Sequence, residues 1–516
     1  MDTPSIPFRP TIADALREAV ASGGDRDFIV TPDRRMTYAD AEVASRRLAK
    51  RMLAGGIGKG TRVGLCFPYG QDWVVAWLAA SRVGALVMPL ATTYRPAEIR
   101  TVLRIGDVDT LLTARSVLGH DMQDMLEASV PALVEATDER LFLPDAPSLR
   151  AVWMTGTIDR AWATPLDFDQ LPADAAAIGD DLVRAVEREV VPADLAQVTY
   201  TSGSSAEPKG VVHTHGTVVR ATSALAALQS GDGPPRFFCA FPFFWIGGTL
   251  VLGAALQSGA TVLCIERFEP GAALDLIERE QATHVLGWPT LLQSMRDHPS
   301  FPERDLPAIP GLTVGPADVA LVESPVPGVP AHRGMSETVG NIGSVEHRVV
   351  DPDTGRDVPE GEEGELLVRG YGLMHGYYKR ERADVFDDDG WLHTGDRVFL
   401  DAGRPYFVGR FTEMVKSRGA NVAPRKVELF LEEHFDEVLY AFVVGTPHPE
   451  RGEEVTAVLV PAQGRSIDPD TLTAHAREQI SGYKVPTRIE IWAEADVPWL
   501  GSGKPDKLAI RARLGA

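Results

Sequence analysis

Between residues 37 and 90 two kinds of apolar pattern alternate. Thr37 to Leu53 carries apolar side chains at helical spacing with basic residues between them, and Gly55-Gly56 follows as a stop, which predicts a helix. Arg62 to Phe67 (RVGLCF) is a short apolar run that predicts a buried strand. Trp73 to Ala80 reads as a second helix, and Ala85 to Leu90, after Gly84, as another strand. Strands separated by helices predict the α/β class, with a parallel sheet covered by helices on both faces. Residues 116–190 are weakly punctuated and carry no recognisable chemistry.

From Phe237 to Ile265 the chain runs 29 residues without a charge. Pro242, Gly247, Gly248, Gly253, Ser258 and Gly259 interrupt that run every few residues, so it predicts strand, loop, helix and strand inside a core rather than a membrane span. Further on, Glu365-Leu-Leu-Val-Arg and Arg404-Pro-Tyr-Phe-Val are short β-rich pieces, and the acidic run Glu360 to Glu365 reads as a solvated turn. A fresh alternation starts after about residue 410: a helix from Arg425 to His434, strands at Tyr440–Val444 and Thr456–Val460, and a helix around 471–480. The division expected is 1–410 and 411–516, the second part being about 105 residues, enough for a small domain.

Composition narrows the class. A chain of 516 residues with 44% hydrophobic and 24% charged residues is an ordinary globular protein large enough for several domains. The net charge of −21 repels phosphate backbones, which argues against nucleic acid as a partner. Any anionic ligand must therefore be held by local cations or backbone N–H groups. Cys66, Cys239 and Cys264 form no C-x-x-C pair, and MDTPSIPFRP lacks a basic region followed by an apolar one, so a cytoplasmic setting is expected.

Five segments carry candidate chemistry. Val198 to His215, VTYTSGSSAEPKGVVHTH, sets a loop of Thr, Ser and Gly between β-rich flanks and ends it in Pro208-Lys209-Gly210. Short hydroxyl side chains let backbone N–H groups converge on an anion, and the lysine adds a point charge. Taken alone, the loop reads equally as a Ser/Gly surface turn. Neither a Walker A loop nor a G-x-S-x-G elbow is present. Gly334-Met335-Ser336-Glu337-Thr338 puts a hydroxyl beside a carboxylate, a pair suited to a phosphate oxygen and its Mg²⁺. Gly390-Trp-Leu-His-Thr-Gly-Asp396 places an acid after a glycine turn, where it can accept from ribose hydroxyls. Gly409-Arg410 lies in a patch, Arg404 to Glu428, with six basic and two acidic residues. Gly501-Ser-Gly-Lys504 sets a lysine on a flexible loop. Each of these alone reads as an ordinary turn.

In this order, the segments resemble the adenylate-forming superfamily of acyl- and aryl-CoA ligases, luciferases and nonribosomal adenylation domains. The resemblance spans nearly the whole chain: TYADAEVASRRLA, TSGSSAEPKG, FPFFWIGG, GMSET, GELLVRG with MHGYYK, GWLHTGD, GRFTEMVKSRGANVAPRKVE, and YKVP followed by GSGKPDK. It implies a large N-terminal domain of stacked α/β subdomains with a β-rich subdomain, and a small mobile C-terminal domain. It also implies ATP, Mg²⁺ and coenzyme A as cofactors, a carboxylic acid as substrate, and two half-reactions. A homodimer is compatible with it.

Position by position, the resemblance implies that Thr201, Ser202, Gly203, Ser204, Ser205 and Lys209 embrace the β- and γ-phosphates of ATP. Ser336 would touch the α-phosphate, Glu337 would hold Mg²⁺, and Asp396 and Arg410 would hold the ribose. Arg333, with Gly334 and Met335, stands where an aromatic residue normally stacks on adenine. Lys504 would bridge the α-phosphate and the attacking carboxylate, a group needed in one conformation only. The C-terminal domain would swing about Thr412 and present Lys416, Arg418 and Gly419 for the second half-reaction. No acid follows the aromatic motif Phe241-Pro-Phe-Phe-Trp245-Ile-Gly247-Gly248, so an amino-acid substrate is not expected. Trp245 resembles the tryptophan gate of some fatty-acyl members, with Gly247 and Gly248 leaving room for a bulky or long apolar chain. Its rival reading is a plain core aromatic.

The chain departs from the family pattern at Ala206, in place of a glycine, at Arg333, and from about 305 to 332, where only Gly315-Pro-Ala resembles the usual run. Three rival functions remain. They are transfer of the acyl group to a carrier-protein phosphopantetheine, a Ser-Ser-Lys amidase using Ser204, Ser205 and Lys209, and a non-catalytic nucleotide-binding relative. His213 and His215 are read as strand and core residues rather than metal ligands.

Overall fold

The computed structural model describes residues 6–201, 208–226, 233–287, 289–314, 345–401, 404–411, 414–417, 420–422, 424–448, 452–480, 482, 484–499 and 505–515. The early helix runs Tyr38–Ala54. Thr37 caps it by accepting from the Asp40 N–H while the Asp40 carboxylate takes the Thr37 N–H, a reciprocal pair that fixes the first turn. The strands Arg62–Cys66 and Leu86–Pro89 and the helix Gln71–Arg82 fall where the apolar runs place them.

These elements belong to an eight-stranded sheet. Arg62–Cys66, Leu86–Pro89, Thr110–Ala114, Ala151–Thr155 and Ala163–Pro165 pair in parallel, and Leu195–Thr201 joins Leu86–Pro89 in parallel. The edge differs from the expected all-parallel sheet. Lys209–Thr214 pairs antiparallel with Leu195–Thr201, and Gly376–Tyr377 pairs antiparallel with Lys209–Thr214. The physical reason is connection length: a short turn can close only an antiparallel pair, whereas a parallel pair needs a crossover of a dozen residues or more.

A five-stranded sheet holds Asp27–Val30, Arg35–Thr37, Arg236–Cys239, Thr261–Leu263 and His284–Leu286. The helix Gln71–Arg82 lies between the two sheets and is buried on every side, Trp73 and Trp77 included. Its core neighbours come from both sheets, Val63, Leu65 and Val87 from one and Phe28, Phe237 and Val262 from the other. That shared core is what stacks the two α/β layers. The uncharged run resolves as the strand Arg236–Cys239, the helix Ile246–Ser258 and the strand Thr261–Leu263. Gly259, at φ +69°, ends the helix in a left-handed cap that a side chain would strain. Among the described residues no helix is long and apolar enough to cross a membrane.

Glu346–Val350, Glu363–Arg369, Leu392–Asp401 and Arg404–Arg410 make a four-stranded antiparallel sheet. Here the acidic run departs from its expected solvated turn. Residues 360 and 361 are a turn, but Glu363 and Glu365 lie within a strand, where Glu363 pairs with Arg397 at 2.7 Å and Glu365 accepts from the Gly395 N–H at 3.1 Å. The partners are supplied by a strand about thirty residues away, which no local charge pattern reveals.

The last sheet is built from Val415–Ser417, Ala420–Val422, Val438–His448 and Gly452–Pro461, with Arg488–Ile491 parallel to the last of these. Pro424–His434 and Pro469–Gln479 supply core residues on one side of it, and Lys507–Arg513 packs with Phe442, Val444, Val458 and Val460 in a separate cluster. The observed class is α/β, with a β-rich unit and a C-terminal α+β unit.

Candidate active site

The turn expected to cradle phosphate is closed at its base by main-chain pairing. Thr201 is the register partner of Lys209, and Tyr200 that of Gly210. Glycine is required at 210 because a Cβ there would lie 2.7 Å from Val198 Cγ1 and 3.1 Å from Tyr200 Cε1. Ser202, Gly203, Ser204 and Ser205, with Ala206, lie outside the described residues. Lys209 Nζ sits 5.4 Å from the centre of the Tyr377 ring, a cation–π distance. Tyr377 reaches that place because its strand pairs with Lys209–Thr214, Val211 opposite Tyr377. The sequence reading gave Tyr377 no role. The GYY of MHGYYK was its only local trace, and the long-range pairing that brings it to Lys209 has no sequence signature.

Asp396 and Arg410, both expected at the ribose, are also register partners, on the strands Leu392–Asp401 and Arg404–Arg410. The approach to Asp396 is fixed by three bonds. Thr394 Oγ1 donates to the Leu366 carbonyl at 2.8 Å and accepts from the Asp396 N–H at 3.0 Å, while the Gly395 N–H donates to Glu365. Gly395 has φ +71°, so the turn in GWLHTGD needs its glycine. Asp396 is 1% exposed, and burial of a carboxylate within a strand is costly unless partners hold it.

Trp245 is the residue before the helix Ile246–Ser258, its ring edge-on to Phe244 at 5.4 Å. Phe243 and Phe244 both pack on Tyr69, and Phe243 on Trp73, so the FPFFW turn is anchored in the buried core. At Gly248 a Cβ would fall 2.3 Å from the Pro242 carbonyl oxygen, and at Gly247 it would fall 3.2 Å from the Phe241 ring. The molecule itself fills the space those side chains would take, so both glycines let the helix start on top of its own turn. Below the same helix, Gln197 donates to Thr249 Oγ1 at 3.0 Å and to Thr199 at 3.1 Å, a buried polar link between sheet and helix.

Lys416 lies on Val415–Ser417, which folds back on Ala420–Val422 with Lys416 opposite Asn421. The two strands pair antiparallel, and Arg418 and Gly419 lie outside the described residues. Arg333, Gly334, Met335, Ser336, Glu337, Thr412 and Lys504 also lie outside them. His213 sits on Lys209–Thr214 and His215 begins the following helix, both buried, and burial pushes both imidazoles down to about 4.

The comparison with known proteins decides the family. The model of AMP-binding enzymes matches residues 16–322 and 311–378, and that of the AMP-binding enzyme C-terminal domain matches 426–504. The chain belongs to the AMP-binding enzyme family. Among its curated relatives, the putative acyl-CoA synthetase YngI of Bacillus subtilis is 30% identical over 539 residues, covering 98% of this chain and 97% of that protein. A feruloyl-CoA synthase of Amycolatopsis sp is 32% identical over 512 residues, 93% of this chain and 94% of that one. Among solved structures, the amide bond synthetase McbA of Marinactinospora thermotolerans superposes with a TM-score of 0.76 at 26% identity, over 97% of this chain and 99% of that one. The anthranilate CoA ligase AuaEII, in complex with anthranoyl-AMP, superposes with a TM-score of 0.77 at 20% identity over 100% of this AMP-binding chain and 99% of that one, a likeness of fold.

Proposed function

We propose that this enzyme activates a bulky apolar carboxylic acid, aryl or fatty, as its acyl-AMP and passes the acyl group to the thiol of coenzyme A. It is an AMP-forming acid–thiol ligase. The observation that carries the reading is the match to both parts of the AMP-binding enzyme model together with CoA ligases and synthetases as full-length relatives.

In the first step a carboxylate oxygen attacks the α-phosphorus, the bond to the β-phosphate breaks, and pyrophosphate leaves. Two anions must meet, so the protein's work is neutralisation and in-line placement. Lys209 and the N–H groups of the turn from Thr201 through Ser205 would take the β- and γ-phosphates. Ser336 would take the α-phosphate, Asp396 and Arg410 the ribose, and Arg333 to Met335 the adenine edge. A carboxylate such as Glu337 suits a hard cation, and Mg²⁺ there would spread the polyphosphate charge. Lys504 would hold the attacking carboxylate against the α-phosphate. In the second step the thiol attacks the acyl carbonyl and AMP leaves. The division at about 410, with Thr412 as the turning point, would bring Lys416 forward for this step. Trp245 would bound the acyl group. A cytoplasmic setting fits three buried, unpaired thiols.

The test is a screen of carboxylic acids of different bulk by ATP-dependent pyrophosphate release, with CoA, with a holo-carrier protein and with neither. Pyrophosphate release with an aryl or fatty acid and thioester formation with free CoA is the expected result. Thioester formation on the carrier protein alone would overturn the choice of acceptor, and amide hydrolysis without ATP would overturn the ligase assignment.

A further inference from the structure

The strongest unassigned feature is an ion pair between two residues in the left-handed backbone region. Among the described residues four non-glycine residues have positive φ: Asp107 at 47°, Leu118 at 50°, Gln281 at 49° and Lys379 at 59°. Two of these four are bound to each other, Lys379 Nζ lying 2.7 Å from Asp107 Oδ2. Each stands where glycine is usual. Asp107 ends the helix Pro96–Ile105: its N–H donates to the Arg104 carbonyl at 3.2 Å while the Val108 N–H donates to that of Leu103 at 3.1 Å, the paired bonds of a left-handed helix end. Lys379 is the third residue of a turn that the Arg380 N–H closes on the Tyr377 carbonyl at 3.1 Å, and left-handed backbone there favours glycine or asparagine. A lysine at such a position strains the chain. The two side chains are 49% and 32% exposed, so their attraction adds little to the stability of the fold. Local strain with little return in stability points to a role for the pair itself.

What the pair holds gives it a purpose. The strand Gly376–Tyr377 is two residues long and lies at the edge of the eight-stranded sheet. It is kept on Lys209–Thr214 by few bonds, among them the His375 N–H to the Val212 carbonyl and the Tyr378 N–H to the Gly210 carbonyl, both at 2.7 Å. So short a strand has little of its own to fix its register, and a fixed point at its end matters. The turn that carries Lys379 is that end. Asp107 is itself held, its carbonyl accepting from Nε of Arg62, the first residue of the strand Arg62–Cys66, at 3.1 Å. The Tyr378 hydroxyl lies 3.5 Å from the same Asp107 oxygen that Lys379 meets. The ion pair therefore ties the outgoing end of Gly376–Tyr377 to the parallel part of the sheet, one residue after the ring that attracts Lys209 and its neighbour Tyr378.

We propose that Asp107 and Lys379 are positioning residues for ATP, acting through Tyr377: their ion pair fixes the turn after Gly376–Tyr377 and with it the ring that lies against the Lys209 ammonium. This rests on the reading of Lys209 as a phosphate ligand given above. The consequence is selective: the pair matters to the affinity for ATP and not to the rate once ATP is bound.

The experiment measures kcat and the KM for ATP by pyrophosphate release with the acid that the screen ranks first. It compares Asp107→Asn, Lys379→Asn, Lys379→Arg and Lys379→Asn combined with Tyr377→Leu. Asparagine accepts left-handed backbone, so the two single asparagine variants remove a charge without adding strain. Each is expected to raise the KM for ATP by ~2–5-fold, up to the effect of losing the cation–π contact itself, with kcat unchanged. Lys379→Arg, which keeps the charge and the reach, is expected to stay near wild type. In the Tyr377→Leu background Lys379→Asn should add nothing. An unchanged KM in both asparagine variants, even with a lowered urea midpoint, would overturn the proposal and leave the pair a contact of the fold alone. So would a further rise of KM in the Tyr377→Leu background. Wild-type KM for ATP in Lys209→Met would remove the reading of Lys209 itself, and the role of the pair with it.

Discussion

Lys209 and Tyr377 meet across an antiparallel strand pair 168 positions apart in sequence, the ammonium 5.4 Å from the ring centre. The ring attracts the cation through its π-face and carries no net charge of its own. A carboxylate in the same place would compete with phosphate.

Removing that ring should therefore weaken nucleotide binding modestly. Tyr377→Leu is expected to raise the KM for ATP by ~2–5-fold, the equivalent of about 0.5–1 kcal/mol for one cation–π contact near the surface. A double-mutant cycle with Lys209→Met, read by pyrophosphate release against ATP concentration, checks it. Strictly additive effects would mean that the two side chains do not act together.

Asp396 gives a sharper prediction, because its neighbours Thr394, Gly395 and Glu365 fix the strand that presents it. Asp396→Asn keeps the shape and removes the charge. ATP KM should rise by ~10-fold or more, since a hydrogen bond to a charged group contributes about 1.5–3 kcal/mol. The diagnostic is a 3′-deoxy-ATP control: wild type should discriminate against it and Asp396→Asn should not. Equal discrimination by both would move the ribose away from Asp396.

Local signals made much of this legible and long-range ones did not. The helix Tyr38–Ala54 was readable because Thr37, Asp40 and Gly55-Gly56 act within one turn of its ends. The uncharged run was readable because its glycines and proline mark the joints of strand, loop and helix. The candidate ligand motifs stood out in the sequence as short segments whose residue types suggest a chemistry. Two features depend on pairing between strands that are not neighbours in sequence. They are the placement of Tyr377 and the partners of Glu363 and Glu365. The glycines of FPFFWIGG show a different limit. The family resemblance implied room for an acyl chain, whereas a Cβ at either position would meet the Pro242 carbonyl or the Phe241 ring, which accounts for the glycines by close approach.

Stability should hinge on a buried ion cluster. Arg82, 2% exposed, donates to Glu187 and Glu42 and, through Nε, to Ser45 Oγ at 3.0 Å, while Arg17 reaches Glu187 at 2.8 Å. Arg82→Met leaves Glu187 buried with only part of its compensation. A loss of about 3–5 kcal/mol is expected, because breaking one side of a buried pair strands the other charge. Urea titration checks it, and Arg82→Met combined with Glu187→Met should recover part of the loss. No recovery in the double variant would show that packing, not the stranded carboxylate, sets the cost.

The buried histidines predict an acid-sensitive fold. Burial pushes His213 and His215 down to about 4, against an ordinary value near 6.5. Asp194, Lys59, Arg9 and Asp14 act on His215 from neighbouring elements, but burial is the largest cause. Neither His213 nitrogen has a hydrogen-bond partner among the described residues. The unfolded chain therefore takes up these protons below about pH 6.5, and the folded chain only near 4. The unfolded state binds more protons across that window, so stability rises with pH through it. It is fully present above about 6.5 and declines as pH falls toward 4, by on the order of 3 kcal/mol for each histidine at most. Urea midpoints at pH 7.5, 6 and 5 should fall in that order for wild type and fall less for His213→Leu. Identical pH slopes for the two proteins would exclude His213 as the source of the acid sensitivity.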